Sequence, residues 1–347
     1  MNGALIGFGT IGLGHLHAYE TLSPDQLKIK AIVDTCHQRR NFARTRYSDV
    51  KVYSSIEDLW ANDTLNIEFI DICTPPDSHL EYIHQALEHG VHVLCEKPFL
   101  LSQHDYDGLL SAIYNAQCFV YPSHNYRFAP IIQFTQEIVR HENFGQIISA
   151  HFRTLRTGHA VGVPEWKPHW RRHANVSGGG ILRDHGPHSI YVASQLIGRM
   201  PKAVSCLLGN FRQDEYQDTE DTVFLSLDFG NDVRFDLDLS WCAGFRKSYY
   251  ALYGTQENII IENDNLIHAM HTGDCIKKSI HSDFDDSSHK SWFVDMLNDF
   301  CIAIGNNERQ KIAIQEALLT TIVIELAYQS SERGGQQIEI PSEIFDI

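Results

Sequence analysis

Ala4-Leu5-Ile6-Gly7-Phe8-Gly9-Thr10-Ile11-Gly12 is the stretch on which the fold turns. Three apolar residues of strand character run into Gly-x-Gly-x-x-Gly, and a helix-like segment opens near Thr10. On its own that glycine pattern is weak evidence; between a strand and a helix it marks a dinucleotide site. The first glycine makes the tight turn, the second lets backbone approach a pyrophosphate, and the third lets helix pack on strand. The amides at the helix start then face the anion. Gly7, Gly9, Thr10, Ile11 and Gly12 are therefore the expected phosphate-contacting positions.

Outward from this turn, the next strand ends in Val33-Asp34, about 20 residues beyond Gly12. A carboxylate there bonds ribose hydroxyls and repels a 2′-phosphate, so NAD is favoured; Arg39 and Arg40 just beyond keep NADP open. Strand-length apolar runs recur at 4–6, 29–33, 67–73, 91–95 and 118–121, with helix-like segments near 11–22, 36–46, 79–88 and 103–115. This alternation predicts an α/β Rossmann domain, a doubly wound parallel sheet, over residues 1–122.

The texture then changes. From about 145 to 282 strands follow one another with turns between them. Residues 233–241 alternate apolar and polar, residues 222–229 nearly do, and Gly230-Asn231-Asp232 lies between, an antiparallel hairpin. Phe293, Leu297, Phe300 and Ile304 share one helix face, Gly305-Asn306-Asn307 stops that helix, and another runs over 312–331. Residues 123–347 are expected to form an α+β substrate-binding and dimerisation domain with a large, mostly antiparallel open sheet. Such a sheet needs a cover, either helices or a second subunit.

Composition limits the partners. The 347 residues carry 28 Lys+Arg against 44 Asp+Glu, a net charge of −16, which disfavours nucleic acid and anionic membrane surfaces. With 43% hydrophobic and 21% charged residues the chain reads as globular. No run approaches the roughly eighteen uncharged apolar residues of a membrane span, and Met1-Asn2-Gly3-Ala4-Leu5 does not open a secretory signal. Eight cysteines without a Cys-x-x-Cys pair point to free thiols and a cytoplasmic protein, so the sequons at Asn62 and Asn175 carry no glycan meaning.

Three segments carry chemistry. Glu96-Lys97-Pro98 follows a strand directly, and open parallel sheets bind ligands beyond their carboxyl ends, so Lys97 is placed to hydrogen-bond a substrate oxygen. Alone, a lysine after a strand is more often a solvated loop charge. Thr74-Pro75-Pro76-Asp77-Ser78-His79 sits on the same face and would shape the nicotinamide end, or simply start a helix. In Ser177-Gly178-Gly179-Gly180-Ile181-Leu182-Arg183-Asp184-His185-Gly186-Pro187-His188, Asp184 and His188 fall at helical spacing, a carboxylate–imidazole couple suited to removing a hydroxyl proton. Pro187 places the helix start near itself, and spacing leaves His185 equally eligible as the imidazole.

These residues, with Asn125-Tyr126-Arg127-Phe128-Ala129-Pro130 and Trp170-Arg171, resemble the glucose-fructose oxidoreductase / inositol dehydrogenase family (Gfo/Idh/MocA) over essentially the whole chain. The resemblance implies Lys97, Asp184 and His188 as the catalytic group, His188 being the acid/base, which selects it over His185. It implies Thr74, Pro75, His79, Glu96 and Lys97 beside the cofactor, Asn125, Tyr126, Arg127, Trp170, Arg171 and His185 beside the substrate, and subunits paired through the sheet. Many relatives have an aspartate where this chain has Tyr191, a position expected to be structural with little bearing on the chemistry. Segment 158–173, rich in His, Trp and Pro, is expected to loop over the pocket and help select substrate.

The expected activity is NAD(P)-dependent hydride transfer between a secondary alcohol of a cyclic polyol or sugar and the nicotinamide. The alternatives are a lyase or hydrolase using transient oxidation, and a non-enzymatic sugar or dinucleotide sensor. No metal is expected, because His15, His17, His169 and His173 lack a completing ligand set, and the acidic run 283–286 lacks a calcium-loop pattern. Arg127, Arg171 and Arg172 are cations that could attract an anionic substrate despite the net charge.

Overall fold

Asn2–Ile6 forms β1, and Lys28–Val33 (β2), Lys51–Tyr53 (β3), Phe69–Ile72 (β4), His92–Cys95 (β5) and Val120–Pro122 (β6) complete a six-stranded sheet of order β3-β2-β1-β4-β5-β6. The computed structural model describes residues 1–23, 26–282 and 289–342, so the acidic run 283–286 lies outside the described residues. All pairings are parallel. The strands are apolar on both faces, as a sheet sandwiched by helices requires: Leu5, Ile32, Ile70 and Leu94 are all fully buried. Thr10–Tyr19 (α1), His37–Arg46 (α2), Ile56–Trp60 (α3), His79–Glu88 (α4) and Tyr106–Asn115 (α5) supply the connections. Chain order reverses between β1 and β4, so the crevice for a ligand opens beyond their carboxyl ends.

The second sheet has nine strands: Ile147–Leu155 (β7), Ala203–Gly209 (β8), Thr222–Asp228 (β9), Arg234–Ser240 (β10), Lys247–Gly254 (β11), Glu257–Glu262 (β12), Asn265–Met270 (β13), Cys275–Ser279 (β14) and Ile338–Glu339 (β15). Its order is β14-β13-β12-β11-β7-β10-β9-β8-β15, and β7 with β10 is the parallel pair. The β9–β10 hairpin sets Leu227, Leu225 and Val223 opposite Phe235, Leu237 and Leu239, all inward and buried. Gly230, Asn231 and Asp232 turn it with φ of 74°, 52° and 62°, a left-handed conformation that Gly, Asn and Asp tolerate best.

Pro130–Arg140 (α6), Ala174–Ser177 (α7), Ile181–Ile197 (α8), Lys290–Ala303 (α9) and Asn307–Glu332 (α10) are the later helices. α8 and α10 pack on the inner face of the large sheet, while its outer face has no covering element among the described residues. α9 crosses back to the first sheet: Phe293 meets the His15 ring at 4.5 Å, and Phe300 packs on Phe69, Phe119 and Tyr121. Gly305 (φ 81°) ends α9, and the Asn306 side chain caps α10 by accepting the Arg309 N–H at 3.1 Å, so α10 begins earlier than residue 312. By length and composition α10 passes for a membrane span, with a mean hydropathy of 1.2 over its most apolar window, yet 61% of that window is buried inside the fold. All eight cysteines are free thiols.

Candidate active site

The glycine turn is built as its spacing demands. Gly7 sits at φ 91° and a Cβ on Gly12 would stand 2.2 Å from the Gly7 carbonyl oxygen, so helix and strand touch only because both residues lack side chains. Beside Gly9 no heavy atom lies within 4 Å of where a Cβ would be, leaving open space against the start of α1. Asp34 accepts the Phe8 N–H at 2.7 Å through one oxygen and the Cys36 N–H at 2.7 Å through the other. Each oxygen keeps a lone pair for a ribose hydroxyl. A cradle for pyrophosphate next to an acceptor for ribose fits NAD.

Opposite this turn, Lys97 and the α8 residues meet. Lys97 Nζ donates to the Asp184 carbonyl at 2.6 Å and to its Oδ1 at 3.1 Å. Arg171 Nε lies 3.3 Å from the same Oδ1, and His185 Nε2 lies 3.8 Å from Oδ2. Burial alone would raise the Asp184 carboxyl, but the Lys97 and Arg171 cations hold it well below its ordinary range. His188 is 5% exposed, and burial together with the Lys97 charge drives its imidazole well below the usual 6.5. His185 is depressed likewise, first by burial. Both rings are therefore neutral at physiological pH, the state in which an imidazole can accept a proton.

α8 runs unbroken from Ile181, so its start is not at Pro187. The cap is remote in sequence: Glu220, from the loop before β9, accepts the Gly180 and Leu182 N–H groups at 2.9 Å each, while its carbonyl accepts that of Ile181 at 3.1 Å. Proline has no N–H to return to the Arg183 carbonyl, and its ring strains that turn. The next carbonyl, that of Asp184, is the one that Lys97 takes.

Asp184 and His188 do not hydrogen-bond each other as their spacing suggested. His188 Nδ1 lies 3.2 Å from the Tyr191 hydroxyl, which also accepts the Tyr126 N–H at 2.9 Å. The Tyr126 ring stacks on His188 at 3.9 Å between centroids. Tyr191, expected to bear little on the chemistry, is thus the direct partner of the candidate base. The signal in the sequence was its position one turn beyond His188 on the same helix.

Other expected contacts are placed differently. His79 is fully buried with Nδ1 3.0 Å from the Pro98 carbonyl and Nε2 2.9 Å from that of Thr74, so it ties two loops together and does not face the cleft. Glu96 also points inward. Its Oε1 accepts the Ser123 hydroxyl at 2.7 Å and lies 3.2 Å from His15 Nε2, and Oε2 takes the Lys97 N–H. Burial opposes charge on His15, but Asp71, 2.8 Å away, raises its pKa well above 6.5, so an imidazolium bridges Asp71 and Glu96 beneath the loops. Arg127 is paired with Glu316 of α10, which it holds down near a pKa of about 2 against the effect of burial, and Arg172 is paired with Glu215. Each guanidinium is thus partly neutralised by a carboxylate that the sequence did not place beside it. Thr74 and Pro75 stay at the β4 end beside Gly7, and the Arg171 guanidinium stacks over Trp170 at 4.2 Å. Asn125 is buried, 6% exposed.

Comparison with known proteins agrees with this geometry. Residues 1–124 match the oxidoreductase family with an NAD-binding Rossmann fold, and residues 132–260 match the GFO/IDH/MocA C-terminal domain. Oxidoreductase P35 of Formosa agariphila is 29% identical over 238 residues, 66% of this chain and 71% of that protein. A 2,7-anhydro-N-acetylneuraminate hydratase of Mediterraneibacter gnavus is 24% identical over 261 residues, 74% of this chain and 67% of the hydratase. A levoglucosan dehydrogenase, solved with NADH and levoglucosan, superposes with a TM-score of 0.84 at 20% identity, covering 99% of this chain and 100% of that one, which shows a shared fold. The chain belongs to the Gfo/Idh/MocA family of NAD-binding oxidoreductases.

Proposed function

We propose that this protein oxidises a secondary alcohol on a cyclic polyol or sugar, or reduces the corresponding ketone, with Lys97, Asp184 and His188 as its catalytic group. The observation that carries the reading is the meeting of the Lys97 ammonium with Asp184, one turn of α8 from a neutral, buried His188. Gly7, Gly9, Thr10, Ile11, Gly12, Asp34, Thr74 and Pro75 would hold the dinucleotide. NAD, when bound, supplies the acceptor for the hydride that leaves the alcohol carbon. His188, in the tautomer that donates Nδ1–H to Tyr191, leaves Nε2 bare to take the hydroxyl proton. Lys97 hydrogen-bonds the substrate oxygen and stabilises the charge that develops there, while Asp184 and Arg171 fix its position. Tyr126, Asn125, Trp170 and His185 would line the substrate side.

The test is a panel of inositols, aldoses and amino-sugars incubated with NAD and NADP and followed at 340 nm. At least one sugar or polyol should yield NADH. A second reading, transient oxidation that ends in addition or elimination of water, draws on the similarity to the hydratase. Substrate consumed with no net change at 340 nm would support it over the dehydrogenase.

The uncovered sheet face, where Leu207 is 51% and Phe224 is 52% exposed on β8 and β9 and Tyr249 and Tyr253 stand on β11 across the Arg153–Asp238 pair, would pair with the same face of a second copy in a homodimer or homotetramer. Phe224→Asp should then shift sedimentation toward the monomer; an unchanged profile would refute that pairing. The free thiols support the cytoplasmic placement.

A further inference from the structure

Segment 158–173 follows β7 of the large sheet and reaches the far end of the dinucleotide crevice. At the catalytic end Arg171 joins it to Asp184 while donating to the Ala160 carbonyl at 3.0 Å. In the middle it folds on itself, with the Gly162 N–H on the Pro168 carbonyl at 2.7 Å and Trp170 packed against Gly162. On its inner side His159 is held by Tyr216, with Nδ1 2.9 Å from the hydroxyl. At the other end Glu165 meets the residues that follow β2. Its carbonyl accepts from Cys36 Sγ at 3.4 Å, and its Oε1 lies 3.8 Å from an Arg39 guanidinium nitrogen. The segment therefore touches both ends of the crevice between the Asp34 turn and Lys97.

Arg39 is the cation that a 2′-phosphate would need, and it is committed elsewhere. It is 6% exposed, donates Nε–H to the Phe8 carbonyl at 2.8 Å, and stacks on Phe8 and Phe42 at 5.1 and 4.7 Å. Arg40, its neighbour, donates to the carbonyls of Asp34 and Thr35. Arg39 NH2 is buried without a hydrogen-bond partner, so the charge is incompletely satisfied by the fold, and the carboxylate that faces it comes from Glu165.

We infer that Glu165 is a specificity residue that excludes NADP, acting across the crevice from the loop that follows β7. This rests on the dinucleotide reading of the Gly7–Gly12 turn. A 2′-phosphate entering beside Asp34 would meet two carboxylates, and the nearest cation, Arg39, is buried and already faced by Glu165. Like charges disfavour each other, so Glu165 would add to Asp34 in opposing a 2′-phosphate.

Titration of NADH and NADPH by nicotinamide fluorescence, on the full-length protein and on Glu165→Gln and Glu165→Asp, tests this without turnover. The wild type should prefer NADH. Glu165→Gln should shift the NADPH-to-NADH affinity ratio toward NADPH by about tenfold, and Glu165→Asp should keep the original ratio. An unchanged ratio in Glu165→Gln overturns the inference. So does a loss of both affinities in step, which would make Glu165 a structural tie for the loop. A wild type that binds neither nucleotide overturns the dinucleotide reading itself and this inference with it.

Discussion

His188 is the proposed base, and its surroundings set how it would act. A free imidazole near 6.5 would be partly charged in the cell, whereas burial and the Lys97 charge keep this one neutral. The Tyr191 hydroxyl lies 3.2 Å from Nδ1, which leaves Nε2 as the nitrogen that would act in the proposed reaction. Tyr191→Phe keeps the ring that stacks on His124 and removes only the oxygen. It should lower kcat/KM about tenfold and stability by about 1–2 kcal/mol, because the Tyr126 N–H loses its acceptor. A kcat/KM within twofold of wild type would show that Tyr191 does not orient the base. Lys97 and Asp184 were legible because a motif puts each at a strand end or helix start. For Arg127, His79 and Glu96 a motif records which side chain stands at a position and not its partner distant in sequence, here Glu316, the Pro98 carbonyl and His15.

α8 carries Asp184, His185 and His188 together, so its placement sets the site. Its entry is crowded: a Cβ on Gly180 would stand 1.9 Å from the Glu220 carbonyl oxygen. Gly180→Ala should push the first turn of α8 away from Glu220, destabilise the fold by roughly 2–3 kcal/mol, and reduce turnover far more than NADH affinity. Equal losses of turnover and NADH affinity would indicate general unfolding. The glycine run and the alternation of β9 and β10 were readable, since backbone freedom and side-chain period are local properties. The true start of α8 was not, because the proline rule is local while the Glu220 cap comes from another element. The short edge strand Lys51–Tyr53 was missed for a related reason: half-exposed and three residues long, it has no apolar run to announce it.

The whole molecule holds a set of buried histidines uncharged, and that sets its response to acid. His79, His124, His185 and His188 are lowered chiefly by burial, and His159 is pushed down to about 4 by burial and by Arg172. The unfolded chain binds protons on these rings from about pH 6.5 downward while the folded chain does not, so stability should fall between that pH and about 4. Asp184 and Glu316, lowered in the folded state, add a further loss below the ordinary carboxylate range. His15 acts oppositely, its contribution being kept below 6.5 and lost as pH climbs through its raised value. Urea midpoints should therefore drop from pH 7 to pH 5; a flat or rising trend would contradict this. The same scale holds the main dependence, since Lys97 follows β5 of the first sheet while α8 packs on the second, and they meet only if the two sheets are placed as described. Paired measurement of turnover and NADH affinity in Lys97→Met and His188→Asn tests that packing and its chemistry directly. Each variant should lose at least about a thousandfold in kcat and bind NADH within threefold of wild type, whereas turnover surviving within tenfold in both would contradict the account.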